Sequence, residues 1–176
     1  SLSFNNQGED YFQNLSTQSI SYNVFKQPVE IHEHGKDKAS FNYNAFEERS
    51  DMFYGGTQND PNQRRYRKHY SSNGRMEIKF DSDNNETTFV NYIGGDAYSA
   101  PVIWHSKQGT STNNNFYYLH RDYLGSILGI TDADGNFKEK RHFDAWGEIV
   151  KLEDGNGNAI SSFDILDRGY TGHEHL

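Results

Sequence analysis

Cysteine is missing from the sequence altogether. No disulfide, thiolate nucleophile or cysteine-based zinc site is therefore possible. The absence fits either redox compartment. No apolar run approaches the roughly 18 residues that a membrane-spanning helix needs. The first residues, "SLSFNNQGEDYFQNLS", lack the basic start and apolar stretch of a signal peptide. Positive charge is scarce: 17 Lys and Arg stand against 25 Asp and Glu, a net charge of -8. Such a surface repels phosphate backbones and anionic membranes, so neither a nucleic-acid partner nor a membrane span is expected. Helical periodicity is also rare. The best window, 43–49 ("YNAFEER"), is too short to hold a helix alone.

Aliphatic residues are sparse, and aromatic ones replace them. Leu, Ile, Val and Phe make up 35 of 176 residues, near the ~20% level at which chains start to lack a core. Tyr and Phe, at 12 each, together outnumber Leu, Ile and Val. Aromatic side chains suit pleated, half-buried surfaces, and Tyr tolerates a wet edge. Period-two alternation recurs. "SISYNVF" aligns Ile20, Tyr22 and Val24, and "KASFNYNAF" aligns Phe41 and Tyr43. "RMEIKFD" sets Met76, Ile78 and Phe80 opposite Arg75, Glu77 and Lys79. "NFKEKRHFD" sets Phe137 and Phe143 opposite Lys138, Lys140 and His142. This is the pattern of antiparallel sheet with one wet face. Turn signals separate the runs at 34–37, 72–74, 81–85, 93–96, 132–135 and 154–158. Residues 108–115 ("QGTSTNNN") read as a long polar loop. The expected fold is all-β: an antiparallel β-hairpin meander forming an open, curved, twisted sheet.

A short unit recurs: "YNVF" at 22–25, "YNAF" at 43–46 and "FDAW" at 143–146. The Asx side chain is expected to cap its own turn, with the flanking aromatics packed on the neighbouring hairpin. Units of about 20 residues that cannot close a core alone imply stacking.

These units resemble the YD repeats of Rhs proteins, with Asn in place of Asp in two of them. "HRDYLGSI", "TDADGN", "FDAWGE" and "RGYTGHEHL" resemble, in order, motifs of the Rhs repeat-associated core domain. "NYIGGDAYSAPVIW" is similar to the strand pair that precedes them. The resemblance covers roughly residues 18–176. It implies a lead-in segment at 1–17, YD-type repeats at 18–70 and a core domain at 71–176. It also implies a structural role. Related proteins are secreted or surface-delivered bacterial polymorphic toxins used in interbacterial competition, and toxin-complex components. Their β-hairpin strip builds a shell around a C-terminal toxin, and some carry an aspartate autoprotease in the core. The expected partners are thus the remaining repeats and the toxin. The family continues through an "NGRxYDP…GRF" segment and a "DPxG" junction, and this sequence stops at Leu176 before both. It reads as a fragment, its core truncated at the C-terminal end.

Candidate chemistry reduces to turns. "DADGN" from Asp132 puts Phe137 and Phe143 where a calcium loop needs Gly and Glu, and "DGNGN" from Asp154 puts Ala159 and Ile165 there. His32 and His34, like His173 and His175, could chelate zinc from one strand face, but no third ligand is indicated. Asp132 and Asp134 form a dyad only in sequence, since an exposed turn shifts no pKa. Asp122 and Asp144 read as turn residues. Ser126, His120 and Asp122 match a triad in composition only, because "GSI" forms no nucleophile elbow. The expectation is therefore a non-enzyme with no catalytic residue, metal or cofactor, and any autoprotease remnant inactive. A Tyr-rich wet sheet leaves carbohydrate binding as the alternative. Unpaired sheet edges lead us to expect self-association.

Overall fold

The computed structural model describes residues 18–109 and 112–175. The lead-in at 1–17 lies outside them. Backbone contacts divide the chain into two compact units, the first ending at Arg67 and the second starting at Lys68.

The protein is all-β. Its twelve strands are antiparallel, follow chain order and do not close into a barrel. The first unit holds β1 (Gln18–Tyr22), β2 (Pro28–Glu33), β3 (Asp37–Tyr43) and β4 (Arg49–Tyr54). β5 (Tyr66–Tyr70) straddles the division. The second unit continues with β6 (Met76–Asp81), β7 (Glu86–Ile93), β8 (Val102–Gln108), β9 (Asn113–Arg121), β10 (Ile127–Thr131), β11 (Phe137–Phe143) and β12 (Ile149–Asp154).

One turn design explains much of this order. Asn23, Asn44, Asp122, Asp132, Asp144 and Asp154 each accept two backbone N–H bonds through one side-chain oxygen, from residues two and four positions on. The backbone closes the same five-residue ring each time; Asp144 N–H, for example, donates to Glu148 O at 3.0 Å. The residue three positions on takes positive φ. It is Gly at 125, 135, 147 and 157, but Lys26 and Glu47 in the first unit. This is a three-residue hairpin loop whose left-handed residue forms a bulge. The Asx side chain supplies the acceptor that the sharp reversal requires.

The aromatic expectation holds in part. Tyr43 donates its hydroxyl to Pro28 O at 2.8 Å, and the Phe143 ring lies 5.5 Å from that of His175. Tyr22 and the second aromatics do not pack: Tyr22, Phe25, Phe46 and Trp146 are 58%, 62%, 82% and 91% exposed. The last three sit at turn tips, beyond the reach of the next hairpin. The long polar loop is also corrected. Asn113–Asn115 belong to β9, paired with Lys107, Ser106 and His105. Strand pairing satisfies their backbone whatever their side chains prefer.

In the first unit Phe41, Met52, Phe53 and Tyr54 form the core, and Arg64 plugs it. Its guanidinium donates to Ser40 Oγ at 2.8 Å, and its Nε to Gln58 O at 3.0 Å. In the second unit Val90, Tyr92, Ala97, Ala100, Ile103, Tyr117, Leu119, Ile127, Ile130, Ile165 and Leu166 form one cluster. Ile165 and Leu166 follow the last strand, so the segment after β12 covers one sheet face. β6 buries the opposite face from the one its apolar residues suggest. Glu77 is buried while Phe80 is 37% exposed. Along β11, Glu139 and Arg141 are buried too. The outer side of β12 is partly covered, since Ile160 N–H donates to Leu152 O and Ala159 bridges Glu153.

Candidate functional site

The strongest concentration of chemistry lies where residues 161–175 recross the second unit. The segment forms its own loop: Gly169 N–H donates to His173 O at 2.9 Å, and His175 N–H to Asp167 O at 2.8 Å. It docks on β10 through Ile127 N–H to Gly169 O and Thr171 N–H to Ser126 Oγ, at 3.1 and 3.0 Å. Three motifs quoted above thus meet in space. Tyr170 donates its hydroxyl to Ala145 O at 3.1 Å, and a Cβ on Gly147 would lie 2.6 Å from the Tyr170 ring. A Cβ on Gly169 would stand 2.8 Å from Phe143 Cζ. Only glycine permits either approach.

The segment meets the sheet through a lattice of four charges, with Lys68, Glu77 and Arg168 buried and Glu174 largely so. Arg168 Nε and Nη2 reach Glu77 Oε1 at 2.8 and 2.5 Å, and Nη1 donates to Gly172 O at 2.8 Å. Lys68 Nζ stands 2.9 Å from Glu77 Oε2 and 2.5 Å from Glu174 Oε1. Tyr70 donates its hydroxyl to Glu174 at 2.8 Å. Lys79 and Asp167 add a half-buried pair at 2.8 Å. Lys68, Glu77 and Arg168 are each under 5% exposed, so the charges are almost dry. Burial penalises the Lys68 ammonium, yet Glu77 and Glu174 hold its pKa above the ordinary value. Burial likewise opposes the Glu174 carboxylate, and Lys68 and Arg168 outweigh it and lower its pKa. A second pair sits on β11. Arg141 Nη2 is 3.0 Å from Glu139 Oε1 and its guanidinium also donates to Leu166 O at 2.8 Å and to Arg168 O. Here desolvation wins for both: it raises the Glu139 pKa and lowers that of Arg141.

The lattice ties the segment to β5 and β6. Breaking one partner of such a pair costs about 3–5 kcal/mol, although a well-packed apolar replacement of both can be neutral. Sequence reading assigned Glu77 and Lys79 to a wet face and did not single out Lys68. Arg168 and Glu174 lay inside the quoted "RGYTGHEHL", which was the available signal.

The residues weighed for chemistry are mostly tied into separate turns and strands, although His120 and Asp122 line one cavity and Asp132 and Asp134 another. Asp122, Asp132 and Asp144 cap turns, and Asp134 lies in the exposed tip of the Asp132 turn. Burial is the largest single influence on the Asp132 carboxyl and raises it, but bonds from Asn136, Lys138 and Asp134 together hold it below the ordinary range, so an exposed turn does shift a pKa here, contrary to expectation. Ser126 Oγ accepts from Thr171, while His120 Nε2 pairs with Thr131 Oγ1 at 3.0 Å. His32 and His34 rings touch at 4.0 Å. His173 Nδ1 meets Thr171 Oγ1 at 2.6 Å, and His175 Nε2 accepts from Tyr170 N–H. Among the described residues no three His, Asp or Glu cluster as metal ligands.

No family model matches the sequence, and no curated protein is a significant match. Solved structures do match. The fold is that of a stretch of a Tc toxin component. The crystal structure of TcdB2-TccC3 without its hypervariable C-terminal region aligns at TM-score 0.63 and 15% identity, over 89% of this chain and 8% of that one. TcdB2-TccC3 itself gives 0.63 at 16%, with the same coverage. A Photorhabdus luminescens Tc holotoxin pore bearing a TccC3 mutation gives 0.63 at 14%, again over 89% and 8%. The chain therefore spans about a twelfth of the chains that it matches. No helix among the described residues is long and apolar enough to cross a membrane.

Proposed function

We propose that this chain is a structural section of an Rhs-type β-strip shell that encloses and presents a C-terminal toxin. The observation that carries the reading is a chain-ordered hairpin meander matching TcdB2-TccC3 over 89% of its length. The motif residues support it. Arg168, Gly169, Tyr170, Thr171, Gly172 and Glu174 are all spent on docking the last segment to the sheet. In this reading the section is not an enzyme, its parent is secreted or surface-delivered, and its partners are neighbouring repeats and the toxin. The test is electron cryo-microscopy of the parent polypeptide. A hollow particle with these strands in its wall and chain density inside is expected. A solid particle, or this section standing apart from any wall, would overturn the proposal.

A further inference from the structure

We propose that residues 161–175 form an acid-loosened strap, seated on two imidazoles that must stay neutral for it to lie flat on the sheet. The inference does not rest on the shell reading. His105 lies beneath the first part of the strap, and His175 is built into its end.

His175 has to accept a hydrogen bond. Its Nε2 faces the Tyr170 backbone N–H at 3.2 Å. A backbone amide only donates, so that nitrogen is bare and the ring proton sits on Nδ1. The ring lies 5.5 Å from that of Phe143 and, edge-on, 5.4 Å from that of Phe163. A Cβ on Gly169 would stand 2.8 Å from Nε2. A proton on Nε2 would set two donors against each other in a slot where the ring has little room to turn. Burial first, then Arg141 on β11 and His173 in the strap, hold the His175 pKa below its ordinary value. The carboxylates nearest in the chain are engaged elsewhere: Asp167 meets Lys79 at 2.8 Å, and Glu174 meets Lys68 at 2.5 Å.

His105 is the second seat. On β8 it shares a face with Ile103 and Lys107. β7 sets Val90 opposite it, and β9 sets Asn115. It is 4% exposed and meets the Tyr117 ring edge-on at 5.8 Å. Its Nε2 finds no hydrogen-bond partner among the described residues. The strap closes this face: Ile165 and Leu166 join Ile103 and Tyr117 in one cluster, and Asp164 reaches Lys107 at 3.5 Å. A charge on a dry, unpartnered imidazole is costly. Burial and Lys107 push the His105 pKa down to about 4, against Asp164 and Asp167, which favour the charge.

An imidazole with a lower pKa in the closed state leaves closure intact above its open-state value. It weakens closure as pH falls from there toward the closed-state value. With an open value of 6.5 and a closed one of about 4, His105 alone favours opening on the order of thirtyfold at pH 5. His175 acts in the same sense. The window includes the pH of about 5–6 at which histidine switches work. The Glu174 carboxylate, its pKa held below 4.5, stays ionised there, so its ties to Lys68 and Tyr70 do not give way first. Lifting the strap would bare Ile103, Tyr117, Ile127 and Ile130.

The experiment is hydrogen exchange of the whole chain, read by mass spectrometry at pH 7.5 and 5.0 and corrected for the intrinsic amide rate. The opening constant of peptides within 161–175 should rise on the order of thirtyfold or more at the lower pH, and that of β3 and β4 far less. His175→Gln keeps an acceptor where Nε2 stands but cannot titrate, and His105→Phe removes the other titrating ring. Each should reduce the rise. An unchanged opening constant in the wild type, an equal rise in β3 and β4, or an undiminished rise in either variant would each overturn the proposal.

Discussion

Replacing Arg168 with Met tests whether the buried lattice holds the second unit together. The substitution keeps length and apolar volume but removes three contacts: two to Glu77 Oε1 at 2.8 and 2.5 Å and one to Gly172 O at 2.8 Å. Glu77 would keep only Lys68, which Glu174 also claims. An uncompensated buried carboxylate costs about 3–5 kcal/mol. A domain of this size loses roughly 4 °C per kcal/mol, so the midpoint should fall by about 12–20 °C. The discriminating variant is the double change Arg168→Met with Glu77→Leu. It removes both charges and leaves Lys68 and Glu174 as a matched pair. It should be more stable than Arg168→Met alone, because no orphan charge remains. Urea unfolding of wild type, both singles and the double closes the cycle. If the single change costs under about 1 kcal/mol, or the two costs simply add, the lattice is not what docks the segment.

Lys26→Gly and Glu47→Gly should each stabilise the first unit by about 0.5 kcal/mol. Both residues hold φ near +64°, and relief of that strain, about 1–2 kcal/mol, exceeds the added entropy of the unfolded glycine. Thermal melts would check this; destabilisation would refute the strain argument. Acid should loosen the second unit through Glu174. Its folded pKa lies below its ordinary value of 4.5, so its stabilisation is complete above that value and lost as pH falls through the folded one. Burial raises the pKa of Glu139, which acts in the opposite sense, so the comparison is with Glu174→Gln. The wild-type urea midpoint should drop more steeply below pH 4.5 than that of the variant; parallel curves would refute the assignment.

The turns were legible because their cause is local. An Asx side chain and the residue three positions later decide the reversal within five residues, and "DADGN" or "FDAWG" carries both parts. The strands between them follow from alternation. Which face would be buried was not legible for β6. Met76, Ile78 and Phe80 are the apolar set, and alternation assigns them to the core. The segment at 161–175 reverses that by bringing Arg168 from 91 residues away onto Glu77. No window of local sequence contains both partners.

Register also suggests why charge occupies a buried face of a hairpin strip. Successive hairpins of this kind are alike in length and turn, so a slipped pairing would lose little apolar burial. A slip of one residue moves every side chain to the other face. For β6 that would carry Glu77 out to water and leave Arg168 and Lys68 in a dry interior with Glu174 as the one carboxylate between them. For β11 it would do the same to Glu139 and leave the Leu166 and Arg168 carbonyls unpaired. Apolar residues tolerate such errors, since one methyl-bearing side chain replaces another. Buried charges do not, because each unpaired one costs several kcal/mol. The lattice therefore discriminates against wrong registers even if its net contribution to the right one is small. It can do so only once residues 161–175 have arrived, so the segment that resembles the family's terminal motif is also the part that fixes the strands made before it.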